Sequence, residues 1–590
     1  MTQDSQFETL RNMTTVADVI ARTLARHGVE TILGQSNPTE LMLAAERIGI
    51  RQILYRTENA GGAMADGFAR ISGRIGVVAA QNGPAAALLV APMGEALKAS
   101  IPMLVLVQEV PSGSRDRNAF QELDHFALFA SVSKWTRRID DPTRVEDTID
   151  QAVTMANSGR PGPVVLLVPR DVLGKPAVPG RFARTADLGA FPLDRPRPDA
   201  AAVSRAARLI ATARSPLVVA GGGVHGSGAV AELAALQEIA HLPVVTTNMG
   251  KGAVDESGPL SLGVAANVTG ERGPAHFHLP LIAEADVVLL VGTRTNENGT
   301  EGWTLTSPDA TYIHIDVDPL EVGRNYEAIR LLGDARAALG DLTAALAATD
   351  LTLRVARSEG LRAAIAAGRQ RHFEAVTPLL ESGETPIAPE RLFAELGRLL
   401  EPDDIVVADA SYSSFWIAGY LLAKRPGQRF VMPRGLAGLG WGLPLALGAK
   451  IAAPGRRVIA VVGDGGFAHV WSELETAVRE RLPVTVVVLN NSVLGAQRHV
   501  ENAVFGETTT GVELDPVDHA AIATAVGATG IVVDHPDAIA PALRKALVSG
   551  HTTVIDVIVD PDAYPPVRAF DPFTDRLNAP LHRAMPASHA

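Results

Sequence analysis

The chain has 590 residues, of which 47% are hydrophobic and 20% charged; at roughly 100 to 200 residues per domain this predicts three or four domains and excludes a lone binding module or a disordered chain. With 65 acidic against 53 basic side chains the formal net charge is −12, so no overall positive field exists to hold nucleic acid or an anionic membrane. Cysteine is absent, which removes disulfides, thiolate metal sites, iron–sulfur clusters and cysteine nucleophiles together.

Residues 1–15 carry acids and no basic segment followed by an apolar run, so no secretory signal is expected and the cytoplasm is the expected location. Val16, Val19, Ile20 and Leu24 then recur at helical spacing between a Thr14–Thr15 cap and Gly28. Short apolar runs (VETIL, QILY, IGVVAA, MLVLV, PVVLLVP) alternate with helical stretches, the pattern of a parallel sheet covered on both faces. The longest charge-free stretch, 75–94, is broken by Gln81, Asn82, Pro84, Pro92 and three glycines, and reads as strand, loop and helix start instead of a membrane span. Proline and charge cluster between residues 175 and 200 as an interdomain linker. A second set of apolar runs follows (PLVVAGGG, LPVVTT, DVVLLVG, TYIHIDVD), then a long Ala/Arg-rich helical stretch over 334–374. A third set begins near Pro386 (DIVVAD, RFVM, RVIAVVGDG, PVTVVVLNN, GIVVD, TVIDVIVD). The fold class expected is α/β, three tandem doubly wound parallel-sheet domains over 1–185, 186–375 and 376–560, with a loosely packed arm over 561–590.

The strongest local signal is Gly463-Asp464-Gly465 at the end of RVIAVV, followed after 24 intervening residues (466–489) by Asn490-Asn491 at the end of PVTVVVL. In an open parallel sheet, ligands gather at the carboxyl ends of strands, so both motifs reach one edge. An Asp carboxylate, an Asn amide oxygen and a backbone carbonyl form a small oxygen set suited to Mg²⁺ that keeps water and phosphate as its other ligands, and the glycines admit phosphates close to backbone amides. Each motif alone is an ordinary tight turn. Together, at this spacing, they resemble the metal–diphosphate motif of the thiamine diphosphate enzymes. That resemblance implies Asp464, Asn491 and the Val493 carbonyl as metal ligands, with Gly463, Gly465, Gly466 and Leu494 beside the cofactor.

Two further segments extend the likeness. RTENAGGAMADGFARISGRIGV, from Arg56, resembles the first-domain signature of the acetolactate synthase branch. A Glu at a helix start is ordinarily a partner of the helix dipole; here the resemblance implies that Glu58 bonds the aminopyrimidine ring and favours the imino tautomer that activates the thiazolium, the electron sink that protein side chains lack. RGLAGLGWGLPLALGA, from Arg434, resembles the segment beneath the bent cofactor, with Leu439 as the apolar wedge where synthases usually carry Met. Gly83, in the QNGPAAALL loop, is a further cofactor-side residue, and Gln121, in AFQE, matches a stretch near the acceptor. The resemblance runs from about Val16 to about Asp560. It implies thiamine diphosphate and Mg²⁺ as cofactors, a 2-oxo acid substrate, and a homodimer or homotetramer in which Glu58 of one copy meets the GDG motif of another.

In the central domain, AGGGVHGSGA, VGTRTNENGTEGW and YIHIDVDPLEVGRNYEA resemble flavin-binding stretches. They make Gly222, Arg294 and Asp316 candidate contacts for FAD or another nucleotide, although the usual Gly-Met-His-Gly run is missing from LGVAANVTGERG. After the metal loop the chain reads LGAQRHVEN, so Ala496 and Val500 replace a Met and a Trp of the acceptor pocket; Ala85, Leu88 and Arg170 are further departures. His499, Gln497 and His125 are candidates for proton transfer, weighed against buried or surface roles. No His-His pair occurs, which argues against the simple pyruvate decarboxylase branch, and His276 with His278 lacks a third ligand for a metal site. The expected function is decarboxylation of a 2-oxo acid with carboligation. Its alternative is another lyase of the same cofactor: a decarboxylase, a C–C bond hydrolase or an acetyltransferase. A non-enzymatic subunit is disfavoured by the intact Glu58, Asp464 and Asn491.

Overall fold

The computed structural model describes residues 14–177, 184–265 and 267–577. The first helix, Val16–Arg26, starts where the sequence places it. Thr15 Oγ1 accepts the Asp18 N–H at 3.3 Å and Asp18 Oδ2 accepts the Thr15 N–H at 2.9 Å, a reciprocal cap of a kind that contributes about 1 kcal/mol.

The described strands form three six-stranded sheets. The first holds β1 (Thr31–Gly34), β2 (Arg51–Ile53), β3 (Gly76–Ala80), β4 (Met103–Glu109), β5 (Trp135–Arg138) and β6 (Pro163–Pro169) in the order β2-β1-β3-β4-β6-β5. The second holds β7 (Pro216–Ala220), β8 (Val244–Thr246), β9 (Ser261–Val264), β10 (Val287–Val291), β11 (Thr311–Asp316) and β12 (Ala328–Leu332) in the order β12-β11-β10-β7-β8-β9. The third holds β13 (Ile405–Ala408), β14 (Arg429–Val431), β15 (Val458–Gly463), β16 (Thr485–Asn490), β17 (Thr529–Val533) and β18 (Thr553–Ile558) in the order β14-β13-β15-β16-β18-β17. Every strand pairing is parallel. Strands β3, β4, β6 and β16 are buried along their whole length, as their unbroken apolar runs require when helices cover both faces.

The first and third sheets share one topology, and the central sheet has the order 3-2-1-4-5-6 in its own numbering. Each order places a topological switch point, and so a crevice, at the carboxyl ends of its strands: between β1 and β3, β7 and β10, and β13 and β15. The first and third domains are joined by the helices Glu58–Ser72 and Gly442–Ala452, which share a hydrophobic core. The contact is backbone to backbone. A Cβ on Gly67 would lie 2.2 Å from the Leu445 carbonyl oxygen, and one on Gly448 would lie 2.0 Å from that of Met64.

The stretch read as one helix over 334–374 is two, Ala335–Ala347 and Thr352–Leu380. Asp350 caps the second start by accepting the Thr352 N–H at 2.9 Å. The expected loose arm is packed as far as residue 577: Phe570 is buried against Tyr412 and Tyr564, and the Pro566 carbonyl accepts the Gly270 N–H at 2.9 Å. Part of the linker and the end of the arm lie outside the described residues. Residues 75–94 form β3, a loop and helix starts, and among the described residues no helix is long and apolar enough to cross a membrane.

Candidate active site

Asp464 follows β15 as the first residue of the short helix Asp464–Ala468, and Asn491 follows β16. The two strands are neighbours with Gly463 opposite Leu489, so both side chains reach one edge. The Asp464 carboxylate is buried and ties the two loops together: Oδ2 accepts the Ser492 N–H at 2.7 Å and Oδ1 the Gly465 N–H at 2.8 Å. Asn491 Oδ1 accepts the Val493 N–H at 3.3 Å, and the turn passes through Ser492 at a positive φ of 54°. Burial pushes the Asp464 carboxyl up to about 6, against the lowering effect of these backbone donors.

These residues line a cavity of ≈ 480 Å³ together with Leu439, Tyr412, Arg434, Ala496 and Gln497. Among the described residues no group of three His, Cys, Asp or Glu side chains is placed to hold a metal ion. The donors here, one carboxylate, one amide oxygen and one carbonyl, carry a single formal charge. That set fits a hard divalent cation that shares the oxygens of a diphosphate.

The loop that carries Leu439 into the cavity is fixed by two carboxylates that the motif reading did not include. Asp409, fully buried after β13, accepts the Gly440 N–H at 3.0 Å through Oδ1 and at 3.1 Å through Oδ2, and Oδ1 also accepts the Ala410 N–H at 2.7 Å. Glu95, from the first domain, accepts the N–H groups of Gly435, Leu436 and Ala437 at 2.8, 2.6 and 3.1 Å. Asp409 had a legible signal: like Asp464, it is an acid directly after an apolar run. Glu95 had none, because its partners lie some 340 positions away.

Glu58 is half-buried at the start of the helix Glu58–Ser72, which Thr57 caps by accepting the Ala60 N–H at 3.3 Å. It is not among the residues that line the Asp464 cavity. Its chain neighbours anchor this corner to the third domain: Glu473 Oε1 accepts the Arg56 and Thr57 N–H groups at 3.0 and 3.1 Å, and Trp441 Nε1 donates to Asn59 Oδ1 at 3.1 Å. Gly83 and Gln121 meet at the end of β3. A Cβ on Gly83, whose φ is 67°, would lie 2.8 Å from the Gln121 Cβ, and Gln81 Nε2 donates to Gln121 Oε1 at 2.9 Å. His125 backs this loop, its Nε2 accepting the Gly83 N–H at 3.2 Å while Nδ1 faces Glu109 at 3.4 Å. Burial would raise Glu109, but His125 and Arg138 together bring it to about 2.

His499 is buried behind the cavity wall. Its Nδ1 lies 2.9 Å from the Tyr412 hydroxyl, its ring packs among Tyr412, Tyr564 and Phe570, and burial with Arg498 nearby holds it down at about 4. Tyr412 lines the cavity; His499 does not. Of the two pocket departures, Ala496 lines the cavity, whereas Val500 is exposed elsewhere on the helix Gly495–Phe505. His276 and His278 bond the carbonyls of Thr269 and Ile365 instead of forming a metal site.

Gly222, Arg294 and Asp316 come together in a second cavity of ≈ 340 Å³ at the β7/β10 switch point. Glycines let the two loops touch there, since a Cβ on Gly223 would lie 2.7 Å from the Gly292 Cα. Burial raises Asp316 to about 6. The crossing loops, a buried acid at a strand end and Arg294 on the wall fit a nucleotide.

Three switch-point crevices, one edged by glycines, Asp464 and Asn491, fit an α/β enzyme that binds a phosphate-bearing cofactor. The thiamine pyrophosphate enzyme family matches the chain in three parts: its N-terminal TPP binding domain over residues 14–128, its central domain over 203–342 and its C-terminal TPP binding domain over 409–557. The chain is similar to a "Probable acetolactate synthase large subunit" of Methanocaldococcus jannaschii, 32% identical with 92% of each chain covered. It is likewise similar to an "Acetolactate synthase" of Arthrospira platensis, 32% identical over 94% of this chain and 96% of the relative, and to an "Acetolactate synthase large subunit" of Parasynechococcus marenigrum, 34% identical over 91% and 86%. The chain belongs to the thiamine pyrophosphate enzymes, in their acetolactate synthase-like branch.

Proposed function

We propose that this protein decarboxylates a 2-oxo acid with thiamine diphosphate and joins the remaining acyl carbon to a second carbonyl compound, as an acetolactate synthase does. The observation that carries this reading is the Asp464–Asn491 pair, bridged through Ser492 at the ends of β15 and β16 and facing one cavity with Leu439. In this reading Asp464, Asn491 and the Val493 carbonyl hold Mg²⁺ against the cofactor diphosphate, and Gly463, Gly465, Gly466 and Leu494 border it. Leu439 supports the cofactor's bend. When bound, the cofactor supplies the electron sink for loss of CO₂.

Glu58 holds a proton at the cofactor's aminopyrimidine. Because it does not line the Asp464 cavity of its own chain, the reading includes a homodimer, or a tetramer of such dimers, in which the partner copy brings Glu58, Gly83 and Gln121 to that cavity. The exposed apolar side chains Leu88, Phe120 and Leu123 beside Gly83 and Gln121 support such a covered face. His499 acts through Tyr412 in proton transfer. The central cavity holds FAD or another nucleotide on Gly222, Arg294 and Asp316. The domain limits at residues 185, 375 and 560 and a cytoplasmic location belong to the same reading.

The test is pyruvate turnover by the purified protein with thiamine diphosphate and Mg²⁺, with products identified. Acetolactate is expected, and Glu58→Gln should lose at least about 100-fold in rate, the scale of a proton-transfer group, while still binding the cofactor. Cofactor binding without consumption of any 2-oxo acid would overturn the activity.

A further inference from the structure

Among the described residues lining the Asp464 cavity, one side chain is cationic: Arg434, which also borders the central cavity. The Glu95 carboxylate acts on its guanidinium without an ion-pair contact. Nη1 donates to Ser414 Oγ at 3.3 Å, the guanidinium carbon lies 4.9 Å over the Phe415 ring, and no carboxylate of the described residues forms an ion pair with it. The loop beneath it is rigid, because Glu95 takes the next three backbone N–H groups. The acids of the same cavity are otherwise engaged: Asp409 by backbone amides, Asp464 by Gly465 and Ser492, and Asp560 by the Asp562 N–H at 2.9 Å. A guanidinium fixed by an aromatic face and one hydroxyl, with donors to spare, is built to receive a planar oxyanion.

We infer that Arg434 binds the carboxylate of the acceptor 2-oxo acid. This inference rests on the function proposed above. The choice between donor and acceptor follows from the chemistry. The donor's carboxylate leaves as CO₂, so an ion pair to it would stabilise the ground state against the very bond that must break. The acceptor keeps its carboxylate: the donor's acyl carbon forms the new C–C bond to the acceptor's keto carbon, the carbonyl electron pair moves to oxygen, and that oxygen takes up a proton. A cation at the carboxylate therefore persists from bound acceptor to product, and it selects acceptors that carry a carboxylate over neutral aldehydes.

The experiment uses the protein loaded with thiamine diphosphate and Mg²⁺, with pyruvate as substrate and acetaldehyde as a competing neutral acceptor. The ratio of acetolactate to acetoin is measured in the wild type, Arg434→Gln and Arg434→Lys. Arg434→Gln should lower that ratio roughly 10- to 100-fold, the value of a charge-assisted hydrogen bond, and Arg434→Lys, which keeps charge but loses the fork, should fall between. If Arg434→Gln does not fold, the lysine variant decides by the same ratio. An unchanged ratio, an equal fall of both products, or release of nucleotide from the central cavity with the ratio intact would overturn the inference. A wild type that consumes no 2-oxo acid would instead overturn the proposed function.

Discussion

At the residue scale, the catalytic edge is an arrangement of carboxylates whose work is divided by their partners. Asp409 gives its oxygens to Ala410, Gly440 and Trp441 amides and is spent on shaping a loop. Asp464 gives two bonds to backbone and still faces the cavity. The two substitutions should therefore separate. Asp464→Asn should weaken Mg²⁺-dependent binding of thiamine diphosphate by more than the 10- to 100-fold typical of an outer-shell metal partner, with the melting temperature of the cofactor-free protein little lowered. Asp409→Ala should leave three buried N–H groups unpaired and lower the stability of that same cofactor-free protein by about 1–3 kcal/mol. Calorimetric titration of cofactor and thermal melting, run on both variants, check the pair. The acid after an apolar run was legible in sequence for both, and the Asp464–Asn491 spacing singled out Asp464; that Asp409 is tied up by amides of the 434–441 loop was not legible, since that loop is distant in sequence.

At the element scale, the helix pair Glu58–Ser72 and Gly442–Ala452 governs how the first and third domains meet. Glycines in a helix interior ordinarily cost about 1 kcal/mol relative to alanine, so a glycine-rich helix implies an opposing gain, here the close backbone approach at Gly67 and Gly448. Gly67→Ala should destabilise the protein by about 1–3 kcal/mol, since the obstruction is a carbonyl and not a flexible side chain. Gly340→Ala and Gly360→Ala, in the helices Ala335–Ala347 and Thr352–Leu380 where an added Cβ meets nothing within 4 Å, should stabilise it by up to about 1 kcal/mol. Opposite signs for the same substitution, read by thermal melting, are the expected result; a stabilising Gly67→Ala would contradict the packing account. The sequence showed a glycine-rich segment in each domain, but their partnership spans some 380 positions and has no local signature.

At the scale of the whole molecule, several imidazoles are buried without an ion-pair partner among the described residues. Burial holds His225 at about 3 and His314, His372 and His499 each at about 4. Their folded values lie below the unfolded one near 6.5, so between that pH and about 4 the unfolded chain binds protons the folded one refuses, and stability falls as pH falls. Three buried carboxyls, Asp316, Asp409 and Asp464, are raised to about 6 and act in the opposite direction below that value, protonating more readily when folded. The imidazoles are displaced further than these three carboxyls, and carboxylates held low by their partners, Glu109 at about 2 among them, also lose stabilisation as they protonate, so net loss on acidification is expected. His499→Phe should remove about 2 kcal/mol of the stability lost between pH 7 and pH 5. The check is the fall in melting temperature between those pH values, which should be smaller in the variant than in the wild type.

The amino-acid sequence alone marked fifteen of the eighteen described strands, the parallel class of the three sheets and the meeting of Asp464 and Asn491 at one sheet edge, because apolar runs, helix caps and strand-end turns are local and a parallel sheet brings strand ends to one side; β5 (WTRR), β9 (SLGV) and β12 (AIRLL) are short or partly polar edge-side strands with no such run. Tertiary structure alone decided the rest. The common topology of the first and third sheets, the reach of Glu95 across domains, the packing of residues 561–577 and the placing of His499 behind Tyr412 all depend on contacts between distant segments. So does Arg434: in the sequence it is one arginine before a glycine, and it becomes the cavity's cation because the fold surrounds it with Phe415, Ser414 and no carboxylate partner among the described residues.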